Sequence, residues 1–98
     1  MIWLVGRHPG ALDWAASTGL AWDRALRHWE IPLVAAGDQV YGILPCHLAA
    51  QVCAAGAEYW HLCVSIPEAF RGRELTAPEL ELFGARFVRY EIQTKERA

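Results

Sequence analysis

The succession of apolar runs and turn residues constrains this chain more than any other feature. Met1-Ile2-Trp3-Leu4-Val5 is apolar, Gly6-Arg7-His8-Pro9-Gly10 has the composition of a turn, and Ala11 to Thr18 that of a helix. An apolar run that stops at Gly and resumes as a helix behind Pro predicts a β-strand, a tight turn and a helix N-terminus. The succession returns at Gln39 to Leu44, where Pro45 fits a first helical turn and a helix runs from Cys46 to Ala55 before Gly56 stops it. Strands that alternate with helices predict right-handed crossovers and a parallel sheet.

The remaining segments fit that frame. Gly19 is a natural C-cap, and Leu20-Ala21-Trp22 reads as a short strand. Asp23 to Glu30 stays ambiguous: Ala25, Leu26 and Trp29 suit a helical stripe in a segment too short to decide, and Pro32 breaks it. Ala36-Gly37-Asp38 is a turn, with Asp38 there for turn chemistry. Ala57 to Ile66 is nearly continuous apolar sequence, as in a strand covered on both faces, and Pro67 ends it. A loop from Glu68 to Leu75 precedes Thr76-Ala77-Pro78-Glu79, a capping-box spacing that starts a helix reaching about Gly84. Arg86 to Ile92 alternates polar with apolar, as an edge strand does, and Gln93 to Ala98 is a polar tail. The expectation is one α/β domain over residues 1–92, with a mostly parallel sheet of about five strands and about three helices.

Composition narrows the partners. The 98 residues are 54% hydrophobic and 20% charged, an apolar surplus that predicts cover by a second copy of the chain. A formal charge of −2 argues against binding long nucleic acid, which needs a net basic surface. No apolar run reaches the length of a membrane span, and no signal-peptide core opens the chain. Cys46, Cys53 and Cys63 lack disulfide or zinc-ligand spacing and suit buried thiols in a reducing cytoplasm. No metal or other cofactor is expected, and no Walker loop, dinucleotide glycine motif or nucleophile elbow is present.

Parallel sheets bind ligands beyond the carboxyl ends of their strands. There the alternation puts Gly6, Arg7, His8, Pro9 and Gly10 after the first strand, and Leu44, Pro45, Cys46 and His47 after the central one. Ser65 and the Arg71-Gly72-Arg73 loop follow the next strand. Arginine is a fixed cationic fork, histidine moves protons near neutral pH, and helix starts attract anions. Those residue types, with few acidic neighbours, predict a phosphate site with acid–base capacity. His61 reads as a satisfied core histidine, Tyr59 and Trp60 as core, and His28 has no evident partner.

Four blocks also occur together. They are Arg7-His8-Pro9-Gly10-Ala11, Gly37 to Pro45, His47-Leu48-Ala49-Ala50 with Val52-Cys53, and Arg71-Gly72-Arg73-Glu74-Leu75. In this order the chain resembles the small standalone CRISPR-associated family numbered Csx-sixteen, found beside type III CRISPR systems. The resemblance implies a fold like the CRISPR-associated Rossmann (CARF) sensor domains. It implies a homodimeric ring nuclease that binds and cuts cyclic oligoadenylate, cyclic tetra-adenylate above all, and so switches off type III signalling. A departure is Gly6, which stands where that family's pattern has a hydroxyl residue. The chemistry of the residues then gives the expected roles. Arg7, His8 and His47 carry catalysis by metal-independent 2′-hydroxyl attack. Gly6, Pro9, Gly10, Leu44, Pro45, Ser65, Arg71 and Arg73 bind ligand. The alternative is a non-catalytic binder of the same ring, a sponge or sensor.

Overall fold

The structure, a computed structural model, describes residues 1–28 and 34–97. The elements are β1 (Ile2–Val5), α1 (Pro9–Ser17), β2 (Arg24–Leu26), β3 (Gln39–Gly42), α2 (Cys46–Ala54), β4 (Glu58–Cys63), α3 (Ala77–Leu82) and β5 (Arg86–Tyr90). They form one five-stranded sheet in the order β2-β1-β3-β4-β5. The first four strands are parallel and β5 is antiparallel to β4. Among the described residues the sheet is thus mostly parallel and carries three α-helices, as the sequence pattern predicts.

Alternation within the strands sorts the core into two layers. Trp3, Val5, Val40 and Tyr59 face α2, where they pack with Leu44, Ala49 and Val52. Leu4 and Leu62 point the other way and pack with Trp14 and Ala15 of α1 and Leu80 of α3. Helices therefore cover both faces, because β1 and β4 are apolar at adjacent as well as alternate positions. The α1–α3 layer is drawn tight at Gly10, where a β-carbon would lie 1.8 Å from the Leu75 carbonyl oxygen. Trp14 Nε1 donates to Glu81 across the same layer at 2.8 Å. The capping box of α3 forms as expected: the Glu79 amide donates to Thr76 Oγ1, and the Thr76 amide donates to Glu79 Oε1.

Several local expectations are corrected. The strand after α1 is Arg24–Leu26, not Leu20–Trp22. Trp22 instead packs against the α1–α3 layer, while Asp23 starts the pairing: its carboxylate accepts from the Ile2 amide, and its amide donates to the Ile2 carbonyl at 2.8 Å. Arg24 to Leu26 resolves the ambiguous segment in favour of strand, and its Trp29, Glu30 and Pro32 lie outside the described residues. β4 stops at Cys63, and only Tyr59 and Leu62 of it are buried, so it is covered incompletely. Trp60 is half-buried, stacked on Tyr41. β5 ends at Tyr90 rather than Ile92. The cysteines are free, but Cys46 is exposed and Cys53 and Cys63 are only partly buried.

The amino end of the sheet is tied by one carboxylate. Asp38 is buried and accepts from the Ala35 amide at 3.0 Å, Trp3 Nε1 at 3.1 Å and the Met1 ammonium at 3.0 Å. Those donors, the Ala35 amide first, hold its pKa down at about 2, against an ordinary 3.8. Among the described residues no helix is long and apolar enough to cross a membrane.

Candidate anion cleft

At the opposite end, chain direction divides. From β1 the chain crosses through α1 to β2 on one side, and from β3 it crosses through α2 to β4 on the other. A crevice opens at such a point because neighbouring strands send their connections to opposite faces. Here it is a cavity of about 470 Å³. Its walls include Val5 to His8 at the end of β1 and beyond, Gly42 to Pro45 at the end of β3 and beyond, and Leu48 of α2. Gly42 lets the two strand ends close up. Its φ is +144°, and a β-carbon there would lie 2.3 Å from the Val5 carbonyl oxygen.

Four residues with cationic or imidazole side chains line this cavity: Arg7, His8, Arg27 and His28. No Asp or Glu lines it among the described residues. Arg7, Arg27 and His28 have no ion-pair or hydrogen-bond partner for their side chains among the described residues. His8 meets Glu74, with Nδ1 3.5 Å from Oε1, a long contact between exposed groups. Unpaired cations around an apolar-walled hollow attract an anion, most of all one with several charged oxygens.

The helix starts contribute less than the sequence suggests. Pro9 has no N–H, and the Ala11 amide already closes on the His8 carbonyl at 3.1 Å. In α2, the Leu48 and Ala49 amides both donate to the Pro45 carbonyl at 3.0 Å. Side chains, more than bare amides, define the cleft. Its rim is fixed from below by Tyr59, whose buried hydroxyl accepts from the Leu44 amide at 2.9 Å. That hydroxyl also contacts His61 Nδ1 at 2.5 Å, so His61 is satisfied, though half-buried rather than core. Burial raises the Tyr59 pKa and keeps the phenol neutral.

Of the residues expected at this end, the cleft gathers Gly6, Arg7, His8, Leu44 and Pro45. Pro9 is exposed at the start of α1, and Gly10 is occupied by its approach to Leu75. His47 is exposed on α2 and is not among the residues lining the cleft, so the expected meeting of His8 and His47 does not occur there. Arg73 lines a neighbouring hollow with His8, but its guanidinium is engaged: it donates to Glu79 at 2.6 Å and lies 4.3 Å from the Phe70 ring centre. Arg71 Nε donates to the Ile66 carbonyl at 3.3 Å. Ser65 is exposed, with its amide on the Phe83 carbonyl. Among the described residues no three His, Cys, Asp or Glu side chains cluster to hold a metal ion.

Sequence reasoning missed Arg27 and His28. The signal was the true end of β2: a strand ending at Leu26 puts both residues at the carboxyl end, beside Arg7 and His8.

These features define an α/β protein with helices on both sheet faces and a cationic cleft where the strand connections diverge. A family model described as "Putative CRISPR-associated protein (Cas_VVA1548)" matches residues 3–93, and the chain belongs to that family. Comparison with curated proteins and with solved structures gave no match.

Proposed function

We propose that this chain is a cytoplasmic, CARF-like ring nuclease: it binds cyclic oligoadenylate, cyclic tetra-adenylate in particular, and cuts it by attack of a ribose 2′-hydroxyl. The observation that carries this is the cleft itself, with Arg7, His8, Arg27 and His28 around apolar walls and no carboxylate among its described lining residues. Membership of a CRISPR-associated family supplies the biological setting. A 3′,5′-linked ring brings its own nucleophile, so the protein needs only to align it and neutralise charge on the phosphoryl oxygens. Arg7 stabilises that charge, His8 moves a proton, and Ile43 and Leu44 offer an apolar wall to an adenine. The product carries a 2′,3′-cyclic phosphate.

A hollow of about 470 Å³ suits one or two nucleotides better than a ring of four. Two clefts across a dyad would share the ring, which favours a homodimer. Ile43, 58% exposed at the lip, and Tyr90, 45% exposed, are apolar surface that a second copy would cover.

The second reading, binding without cleavage, is favoured by the exposure of His8 and by the position of His47 outside the cleft. Labelled cyclic tetra-adenylate, incubated with protein in EDTA and chromatographed, separates the two. Linear product with a 2′,3′-cyclic end supports the nuclease. Intact ring held at stoichiometric protein supports the sponge, and no retention contradicts both.

A further inference from the structure

Cleavage by a 2′-hydroxyl calls for two proton-transfer groups at one phosphorus, and the cleft contains a second imidazole that the sequence pattern did not nominate. Val5 of β1 and Leu26 of β2 are register partners in parallel strands, and the Gly6 amide donates to the Leu26 carbonyl at 2.9 Å. Two strands therefore leave the sheet side by side, and each continues into an Arg-His dipeptide, Arg7-His8 and Arg27-His28. All four residues line the same cavity.

Resting on the ring-nuclease reading, we infer that His28 is the second catalytic residue: His8 acts as general base and His28 as general acid, with Arg7 and Arg27 on the phosphoryl oxygens. The 2′-oxygen bonds to phosphorus as its proton passes to neutral His8. The bond from phosphorus to the 5′-oxygen breaks, and that oxygen takes a proton from the His28 imidazolium. The products are a 2′,3′-cyclic phosphate and a 5′-hydroxyl, and the two imidazoles have exchanged charge states, so protons balance. Glu74 Oε1 lies 3.5 Å from His8 Nδ1, outside the cleft lining. Among the described residues, the other ionisable groups lining the cleft with the two imidazoles are Arg7 and Arg27; α1, β3, α2, β4 and β5 present only apolar or main-chain groups there. Both imidazoles are exposed, so replacing either leaves the core intact.

The test uses two substrates, the natural ring and a ring with sulfur replacing the 5′-oxygen at the scissile phosphate. A thiolate leaves without a proton, so it bypasses the general acid. The expected result is that His28→Ala slows cleavage of the natural ring about 100- to 10,000-fold. It should cut the sulfur ring within about tenfold of wild type, while His8→Ala stays slow on both. The wild-type rate should fall on both sides of a pH optimum, and His28→Ala should lose the fall on the alkaline side. An unchanged melting temperature assigns the loss to chemistry, and His28→Gln repeats the test if the alanine variant melts early. Wild-type rates in His28→Ala overturn the inference but leave the nuclease reading standing. So does loss in His47→Ala without loss in His28→Ala, or rescue of His8→Ala by sulfur instead. Wild-type protein that leaves the natural ring intact removes the nuclease reading, and this inference with it.

Discussion

The two ends of the sheet solve opposite problems with charge. At the amino end, the Asp38 carboxylate is surrounded by donors from a backbone amide, an indole and an ammonium group, and Asp23 accepts from the Ile2 amide. Both carboxylates are engaged by donors of the fold. At the carboxyl end, Arg7, Arg27 and His28 have no side-chain partner among the described residues, although they line a concave surface. A satisfied buried carboxylate stabilises, whereas grouped, unpaired cations repel one another until an anion arrives. The difference teaches where to look for function: in a chain of net charge −2, the carboxyl end is where cations collect without a partner among the described residues.

If the division holds, substitutions at the carboxyl end should change activity and spare stability, and those at the amino end the reverse. The largest effect falls on His8. His8→Ala should slow single-turnover cleavage of the ring about 100- to 10,000-fold while ligand affinity stays near wild type. An unchanged rate would take His8 out of the chemistry. Next comes Arg27→Ala, which removes a charged contact worth about 1.5–3 kcal/mol and should raise the Kd for the ring roughly 10- to 100-fold in equilibrium titrations. The melting temperature should barely move, and a binding loss that tracks a melting loss would blur the two ends.

Asp38→Asn sharpens the contrast from the other side. It should cost about 1–3 kcal/mol in urea melts and leave the cleavage rate of folded protein unchanged. Its pH signature follows from the depressed pKa. A carboxylate at about 2 when folded and 3.8 ordinarily stabilises fully above that ordinary value and loses its contribution as pH falls from 3.8 to about 2. Wild type should therefore lose stability more steeply than Asp38→Asn across that window, and parallel curves would contradict the assignment. The smallest effect is expected for Arg73→Ala. Its solvent-screened pair with Glu79 adds little to the start of α3, so the melt should shift only slightly. Ring affinity should change less than in Arg27→Ala, and a larger change would return Arg73 to the ligand.

Much of the frame was legible in residue order. The Gly and Pro punctuation around β1, α1, β3 and α2 marks real boundaries, and Thr76 with Glu79 forms the capping box its spacing announces. What failed is instructive. β2 is three residues long with Arg24 and Ala25 exposed, so it carries no periodic signal, while Leu20-Ala21-Trp22 looks stranded only because Trp22 packs beneath a helix. That one displaced strand concealed Arg27 and His28. The expectation for His47 rested on its place at a helix start, but lying near the right end of a strand does not direct a side chain inward. α2 turns Ala49 and Val52 to the core and leaves His47 in water. Arg73 looked like a free cation because its partner Glu79 is presented by the first turn of a helix, a contact no spacing within the loop reveals.

The central claim is that the carboxyl-end cleft is an anion site built from two adjacent Arg-His pairs. Fluorescence titration of labelled cyclic tetra-adenylate into wild type and into Arg7→Ala/Arg27→Ala tests it most directly, each protein first confirmed folded by its melt. Saturable binding to wild type, weakened about 100-fold or more in the double variant, is the predicted outcome. Equal affinity in the two proteins, or no saturable binding to wild type, would contradict it.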